Sequence, residues 1–285
     1  MSKDKITRTP LWLLASALCA AALLSSVFVF ITVCAADGII MGGSGLFTSL
    51  WAPEAKSFGI MPMIAATAAL SLSSLALGWL VSLGCICFIH GFGGKHISAF
   101  LSLLLRVMTA VPTVVYGFAS VFLLVPVIRD ALGGSGFSWF TATLVLALLI
   151  TPTMTLAMQG AVSQINDRYA LTSASLGLSR GENLIYVVLP AARDSLRGAA
   201  LLGFGRAAGD TMIPTMLAGN AVRYPASPLD AIRTLTAHIG LVLSSDVGGT
   251  AYYSLFAAGG MLLVMSLAAN LLFRFACRGI SGRSE

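Results

Sequence analysis

Phe137-Ser-Trp-Phe-Thr-Ala-Thr-Leu-Val-Leu-Ala-Leu-Leu-Ile-Thr-Pro152-Thr-Met-Thr-Leu-Ala-Met-Gln-Gly160 runs without one charged side chain. A helix needs about 20 mostly apolar residues to cross the hydrocarbon of a bilayer, and this stretch supplies them. Comparable runs lie at 11–36, 60–89, 99–128, 198–220 and 250–275. Lipid offers no partner to an open strand, so these segments are expected as helices. Pro112, Pro152 and Pro214 interrupt three of them. A bundle tolerates this when neighbours satisfy the freed backbone groups. The expected fold is all-α, a polytopic integral membrane bundle of about six transmembrane helices.

Composition agrees. The 285 residues are 57% hydrophobic and only 10% charged, with a mean hydropathy of +0.91. Soluble domains carry about 25% charged residues. So little charge cannot cover a globular surface, and there is no room for a large soluble domain. The net charge of +6 does not indicate nucleic acid, because the basic residues flank apolar runs rather than clustering on one face. Cys19, Cys34, Cys85 and Cys87 lie in apolar runs and Cys277 at the end of one, with no CxxC pair. They read as packing residues, and no metal site is expected.

Lys3, Lys5 and Arg8 precede the first apolar run. That run is too long for a signal-peptide core, so it reads as a retained helix. The chain then divides into 1–59, a helix with its outer loop, and 60–280, the main transmembrane domain. Positive charge sets orientation. The N-terminus, the 90–98 loop, the 161–197 segment and the C-terminus hold Lys3, Lys5, Arg8, Lys95, Arg168, Arg180, Arg193, Arg197, Arg274, Arg278 and Arg283. The other loops hold Lys56, Arg129, Arg223 and Arg233. This split places both termini and the 161–197 segment in the cytoplasm, and 221–249 outside.

Two stretches carry chemistry. The first is Tyr169-Ala-Leu-Thr-Ser-Ala-Ser-Leu-Gly177-Leu-Ser-Arg180-Gly-Glu182-Asn-Leu-Ile-Tyr-Val-Val-Leu189-Pro190. It reads as one or two short helices across the membrane face, with Gly177 ending or bending the first. Such a piece suits docking to a partner protein, or simply lying in the interface. The second is Gly203-Phe-Gly205-Arg206-Ala-Ala-Gly209-Asp210-Thr211-Met-Ile-Pro214. Arg206 and Asp210 are four apart and would share one helical face. Charges inside a span are costly and mark function by default. The pair reads as an oxyanion pathway or as a structural ion pair. The glycines would let another helix approach.

These stretches resemble a known family. The first is similar to the coupling loop of bacterial ABC importer permeases, EAA-x3-G-x9-I-x-LP, with Gly177 as its glycine and Val187-Val-Leu189-Pro190 as its end. Leu171-Thr172-Ser173 stand at the EAA positions, without the usual Glu. The second resembles the G-x-G-R-A-x-G-E-T-M motif of phosphate importer permeases of the Pst type, with Asp210 where the family has Glu. Trp51-Ala-Pro53, Phe58-Gly59 and Pro62 resemble the outer entry to the second span of PstC-like subunits. Ala110-Val-Pro112-Thr-Val-Val-Tyr116-Gly117 and Leu229-Asp-Ala-Ile-Arg233-Thr-Leu-Thr resemble two further family stretches. The Trp-x-Pro feature and Thr-Met after Asp210 favour a PstC-like over a PstA-like subunit.

The resemblance implies a permease subunit of an ABC importer for phosphate in the bacterial inner membrane. It implies a second, PstA-like permease subunit, two cytoplasmic ATPase subunits and an external phosphate-binding protein serving loops 37–59 and 221–249. The ATPases would dock on 166–183, with Leu171, Thr172, Ser173, Gly177, Arg180, Leu189 and Pro190 as the coupling residues. Arg206, Asp210, Thr211 and Arg106 would line the substrate pathway. Arg106 stands where the family has Glu, so it would enlarge the positive field of the pathway, pair with Asp210 or snorkel to the cytoplasmic surface. No G-x-x-x-x-G-K-[ST] run is present, so ATP and Mg would bind the partner, and no cofactor is expected in this chain. His90, His96 and His238 are scattered, and no catalytic cluster is seen. Another oxyanion (molybdate, tungstate or sulfate) remains open, as does a gradient-driven transporter or channel, which usually has repeated halves.

Overall fold

The computed structural model describes residues 11–52, 57–245 and 252–281. Lys3, Lys5, Arg8, Pro53, Lys56, Asp246 and Arg283 lie outside the described residues. Helix follows helix: α1 (Leu11–Gly42), α2 (Met61–Cys87), α3 (Lys95–Ala110), α4 (Thr113–Leu132), α5 (Trp139–Ser175), α6 (Arg180–Asn183), α7 (Leu189–Ala191), α8 (Arg193–Gly209), α9 (Met212–Leu217), α10 (Leu235–Ser245) and α11 (Tyr252–Ser281). Two-residue strands β1 (Trp51–Ala52) and β2 (Ser57–Phe58) pair antiparallel before α2.

Among the described residues, five helices are long and apolar enough to cross a membrane: Trp12–Ile40, Met61–Phe92, Thr113–Leu132, Trp139–Ser175 and Ser254–Phe273. The architecture is the expected helical membrane bundle, with two corrections. The span expected at 99–128 is two helices, because Val111 and Pro112 are extended. The span expected at 198–220 is α8, of 17 residues, and then the short α9. Pro214 has no N–H to offer the Asp210 carbonyl four residues back, and the Asp210 side chain, described below, bonds the start of α9.

Burial orders the bundle. The window that defines α5 as a span is 67% buried and that of α1 is 0% buried, so α5 is central and α1 peripheral. Trp12, Phe28 and Phe30 on α1 stand exposed where lipid would cover them. The main core joins Leu70 and Ile86 of α2, Leu146, Ile150 and Met154 of α5, Ala207 of α8 and Ile213 of α9.

Small and hydroxylated residues bring α2 and α5 together, the packing rule of helices in lipid. A side chain on Gly78 would press into Ile150. Ser82 donates to the Thr151 carbonyl at 3.2 Å, beside Pro152. Trp139 Nε1 donates to Ser73 at 3.0 Å, and Ser73 shares a hydrogen bond with Thr143 at 2.9 Å. At the other edge, a side chain on Gly260 of α11 would collide with Ala35 of α1.

Candidate functional site

The α8 end carries the strongest candidate residues. Gly203 faces α5 so closely that any side chain there would strike Met154. Gly205 and Gly209 face open space instead. Only the first of the three glycines therefore serves a close helix approach within this chain. Gly205 and Arg206 open onto a lateral cavity of about 600 Å³ that also reaches Thr153, Ser266 and Asn270.

The shared helical face expected for Arg206 and Asp210 is not formed. α8 stops at Gly209, and Asp210 has extended backbone, with ψ 131°. Its carboxylate Oδ2 accepts the Ile213 N–H at 2.8 Å, so the side chain caps the start of α9 in the manner of aspartates at helix N-termini. Its carbonyl accepts the Thr236 hydroxyl of α10 at 2.8 Å. Thr211 follows the break, its methyl lying beside Gly240 of α10. Arg206 is exposed, and among the described residues no carboxylate lies within 4.0 Å of its guanidinium. The ion pairs in that set are Arg129–Asp130, Arg197–Asp194 and Arg223–Asp230.

A second interruption lies between α3 and α4. Pro112 has no N–H to offer the Met108 carbonyl, which accepts the Val111 N–H at 3.4 Å instead. The Tyr116 hydroxyl donates to that carbonyl at 2.8 Å. Gly117 sits against Met216 of α9 with no room for a side chain, so the two interrupted regions pack on each other. Arg106, on an exposed position of α3, is joined to Arg206 or Asp210 by no described hydrogen bond or ion pair.

The 161–197 segment differs from its expected form. No separate short helix begins it, because α5 runs unbroken for 37 residues to Ser175. Gly177 then ends α5 at φ +73°. Its N–H bonds the Ala174 carbonyl at 3.1 Å, and the Leu178 N–H bonds Ser173 at 3.1 Å, the double closure of a Schellman motif. Nothing lies within 4 Å of a Cβ at Gly177, so the backbone angle alone calls for glycine. Ser179 caps α6 and is capped in return by Glu182. Those bonds from Ser179 hold the Glu182 carboxyl below its ordinary pKa.

Of the expected coupling residues, Leu171 is 87% exposed, Thr172, Arg180 and Pro190 are exposed and Leu189 is half-buried. Ser173 is 4% exposed and faces inward. Its hydroxyl donates to Asn183 at 2.7 Å, and Asn183 donates to Asn166 at 2.9 Å. Ser173 thus pins the end of α5 to α6. Gly91 and Gly181 were not singled out in the sequence. Side chains there would strike Leu184 and Phe92, so the α2 end packs tightly on α6.

On the opposite end, Trp51 stacks edge-on to His238 at 4.4 Å, and His238 shares a hydrogen bond with Ser254 at 3.0 Å. Burial, aided by the charge of Arg233, lowers the His238 pKa to about 3.

The family described as "binding-protein-dependent transport system inner membrane component" matches residues 82–281. The chain belongs to that family. The probable ABC transporter permease protein YqgH of Bacillus subtilis (strain 168) is 30% identical over 237 residues, covering 80% of this chain and 75% of its own. The phosphate transport system permease protein PstC of Haemophilus influenzae is 26% identical over 253 residues, covering 82% and 80%. Among solved structures, a bacterial ABC transporter involved in the import of the acidic polysaccharide alginate aligns with a TM-score of 0.61 at 16% identity, covering 95% of this chain and 99% of its own. The MetNI methionine ABC transporter aligns at 0.59 with 15% identity, covering 75% and 92%. Those two share the fold. The chain is therefore a multi-pass permease component of a transport system.

Proposed function

We propose that this chain is a permease subunit of an ATP-driven phosphate importer, PstC-like, with Arg206 on the anion path. The observation that carries the reading is the Arg206 guanidinium. It stands at a helix interruption, opens onto a cavity and has no carboxylate within 4.0 Å among the described residues. Its planar donor fork matches a tetrahedral oxyanion. Relatives named for phosphate transport, such as those of Haemophilus influenzae and Xylella fastidiosa, support phosphate as the cargo.

In this reading both termini and 161–197 are cytoplasmic. A second, PstA-like permease pairs with the chain, and two ATPase subunits dock where Leu171, Thr172, Leu176 and Arg180 are exposed. A binding protein delivers the anion to the opposite face. ATP binding closes the ATPases, and the Gly177 turn transmits that motion to α5, with which it is continuous. A passing anion must bind weakly enough to leave. An exposed arginine with no carboxylate within 4.0 Å among the described residues meets that need better than an enclosed cage.

The test is ATP-dependent uptake of radiolabelled phosphate by proteoliposomes containing the assembled transporter and its binding protein. Phosphate should accumulate only with ATP inside, and sulfate or molybdate should not compete. Uptake of one of those anions in place of phosphate would reassign the cargo. Uptake by this chain alone, driven by an ion gradient, would overturn the reading.

A further inference from the structure

The loop after α9 holds two arginines in different settings. Arg223 is neutralised, because its guanidinium donates to Asp230 at 3.1 Å and to the Ala231 carbonyl at 3.1 Å. Asp230 also accepts the Ser227 N–H at 2.8 Å and the Ala226 N–H at 3.1 Å. These bonds, Ser227's first, hold its carboxyl below the usual range. Arg233 is half-buried and makes one described hydrogen bond, from Nε to the Asn220 carbonyl at 2.9 Å. No carboxylate lies within 4.0 Å of it among the described residues. A guanidinium has five N–H donors, so most of this fork is unspent. A partly buried charge without a counter-ion is costly to the fold, and an arriving anion relieves that cost.

Asn220 is unusual in its own right. It is the only non-glycine with positive φ among the described residues, at 57°. Its Nδ2 donates to the Thr215 carbonyl at 2.7 Å, while its Oδ1 is buried with no partner. Backbone strain and an orphaned acceptor in one residue point to a site rather than to packing alone. The position is connected to the Asp210 break. Three residues after Arg233, the Thr236 hydroxyl holds the Asp210 carbonyl.

We infer that Arg233 and Asn220 form an outer anion station, which receives a protonated tetrahedral oxyanion and passes it inward towards Arg206. This rests on the reading of Arg206 as part of the path. The free N–H groups of Arg233 take the anion's oxygens as paired donors. The anion's own O–H satisfies the Asn220 Oδ1, which a fully deprotonated anion cannot do. The Asn220 carbonyl orients the fork from behind.

The experiment measures phosphate uptake and binding-protein-stimulated ATP hydrolysis in parallel, on the assembled transporter in proteoliposomes. Arg233→Gln should lower uptake by about tenfold or more, the usual scale for a lost charged hydrogen bond, and leave ATP hydrolysis near wild type. Arg233→Lys should recover part of the uptake. Asn220→Gly keeps the left-handed backbone and the carbonyl while removing the Oδ1 acceptor together with the Nδ2 bond to Thr215, and uptake should fall about threefold. Wild-type uptake by Arg233→Gln overturns the station. So does a joint loss of uptake and ATP hydrolysis that Lys does not recover, since that is the mark of a loop staple. Unchanged uptake by Asn220→Gly removes the acceptor from the proposal. Arg206→Gln, run in the same series, separates the two readings. If it is inactive while Arg233→Gln is normal, only the outer station falls. If both are normal, the pathway falls with it.

Discussion

Two apolar stretches of this chain break in mid-run beside a proline, and the carbonyls left without a helical donor are satisfied by different means. Pro112 has no N–H to offer the Met108 carbonyl, which takes the Val111 N–H and the hydroxyl of Tyr116 on the adjoining α4. Pro214 likewise has no N–H to offer the Asp210 carbonyl four residues back. A carboxylate caps α9, and Thr236 of a distant helix takes the backbone carbonyl. If the Tyr116 bond is lost, the Met108 carbonyl keeps the Val111 N–H of its own turn. The second break depends on polar contacts that a neighbouring helix can make or release. The Asp210 break is therefore the one suited to move during transport.

Substitution of Asp210 should have the largest effect. Asp210→Ala removes both the cap and the charge, costing about 1–2 kcal/mol of stability and most of the uptake. Asp210→Asn keeps an acceptor for Ile213, so thermal unfolding should stay near wild type while uptake falls. Equal loss of both in Asn and Ala would make the carboxylate a structural cap only. Asp210→Glu, which restores the family's carboxylate, should be tolerated.

The paired hydroxyl deletions sharpen the contrast. Thr236→Val should destabilise by about 1 kcal/mol and also slow uptake, because it loosens the Asp210 break. Tyr116→Phe should lower the unfolding temperature comparably or less and leave uptake intact. If Tyr116→Phe slows uptake as much as Thr236→Val, the two breaks are not distinct in function.

A pH effect follows from α10, which carries Thr236. His238 has a folded pKa of about 3, below the unfolded value of about 6.5. The unfolded chain therefore binds the extra proton between those values. His238 stabilises the fold fully above about pH 6.5, and that contribution is lost as the pH falls towards 3. The unfolding temperature of the complex should drop between pH 7 and 5, and His238→Gln should flatten the drop. An unchanged slope would separate α10 from the acid response.

How far the sequence revealed this depends on the range of each interaction. Apolar length exposed the spans, because lipid selects on composition over a whole helix. Gly177 was legible as a helix stop, since its left-handed backbone needs no distant partner. The Pro112 break is also local, yet an unbroken apolar pattern runs across it. The end of α8 was missed because Gly209 and Asp210 lie within apolar neighbours, and the cap contacts Ile213 and Thr236 appear only in three dimensions. Ser173 reads from the sequence as a docking contact, but its partner Asn183 lies across a turn and draws it inward. Arg233 looked like any loop arginine until Arg223 was seen paired with Asp230 and Arg233 was not.

The central claim is that Arg206 carries the anion across. It is tested most directly by ATP-dependent phosphate uptake in proteoliposomes holding equal amounts of assembled wild-type, Arg206→Lys or Arg206→Gln transporter. Lys keeps the charge without the planar fork and should retain partial uptake, while Gln should reduce uptake to the level seen without ATP. Wild-type uptake by Arg206→Gln would contradict the account.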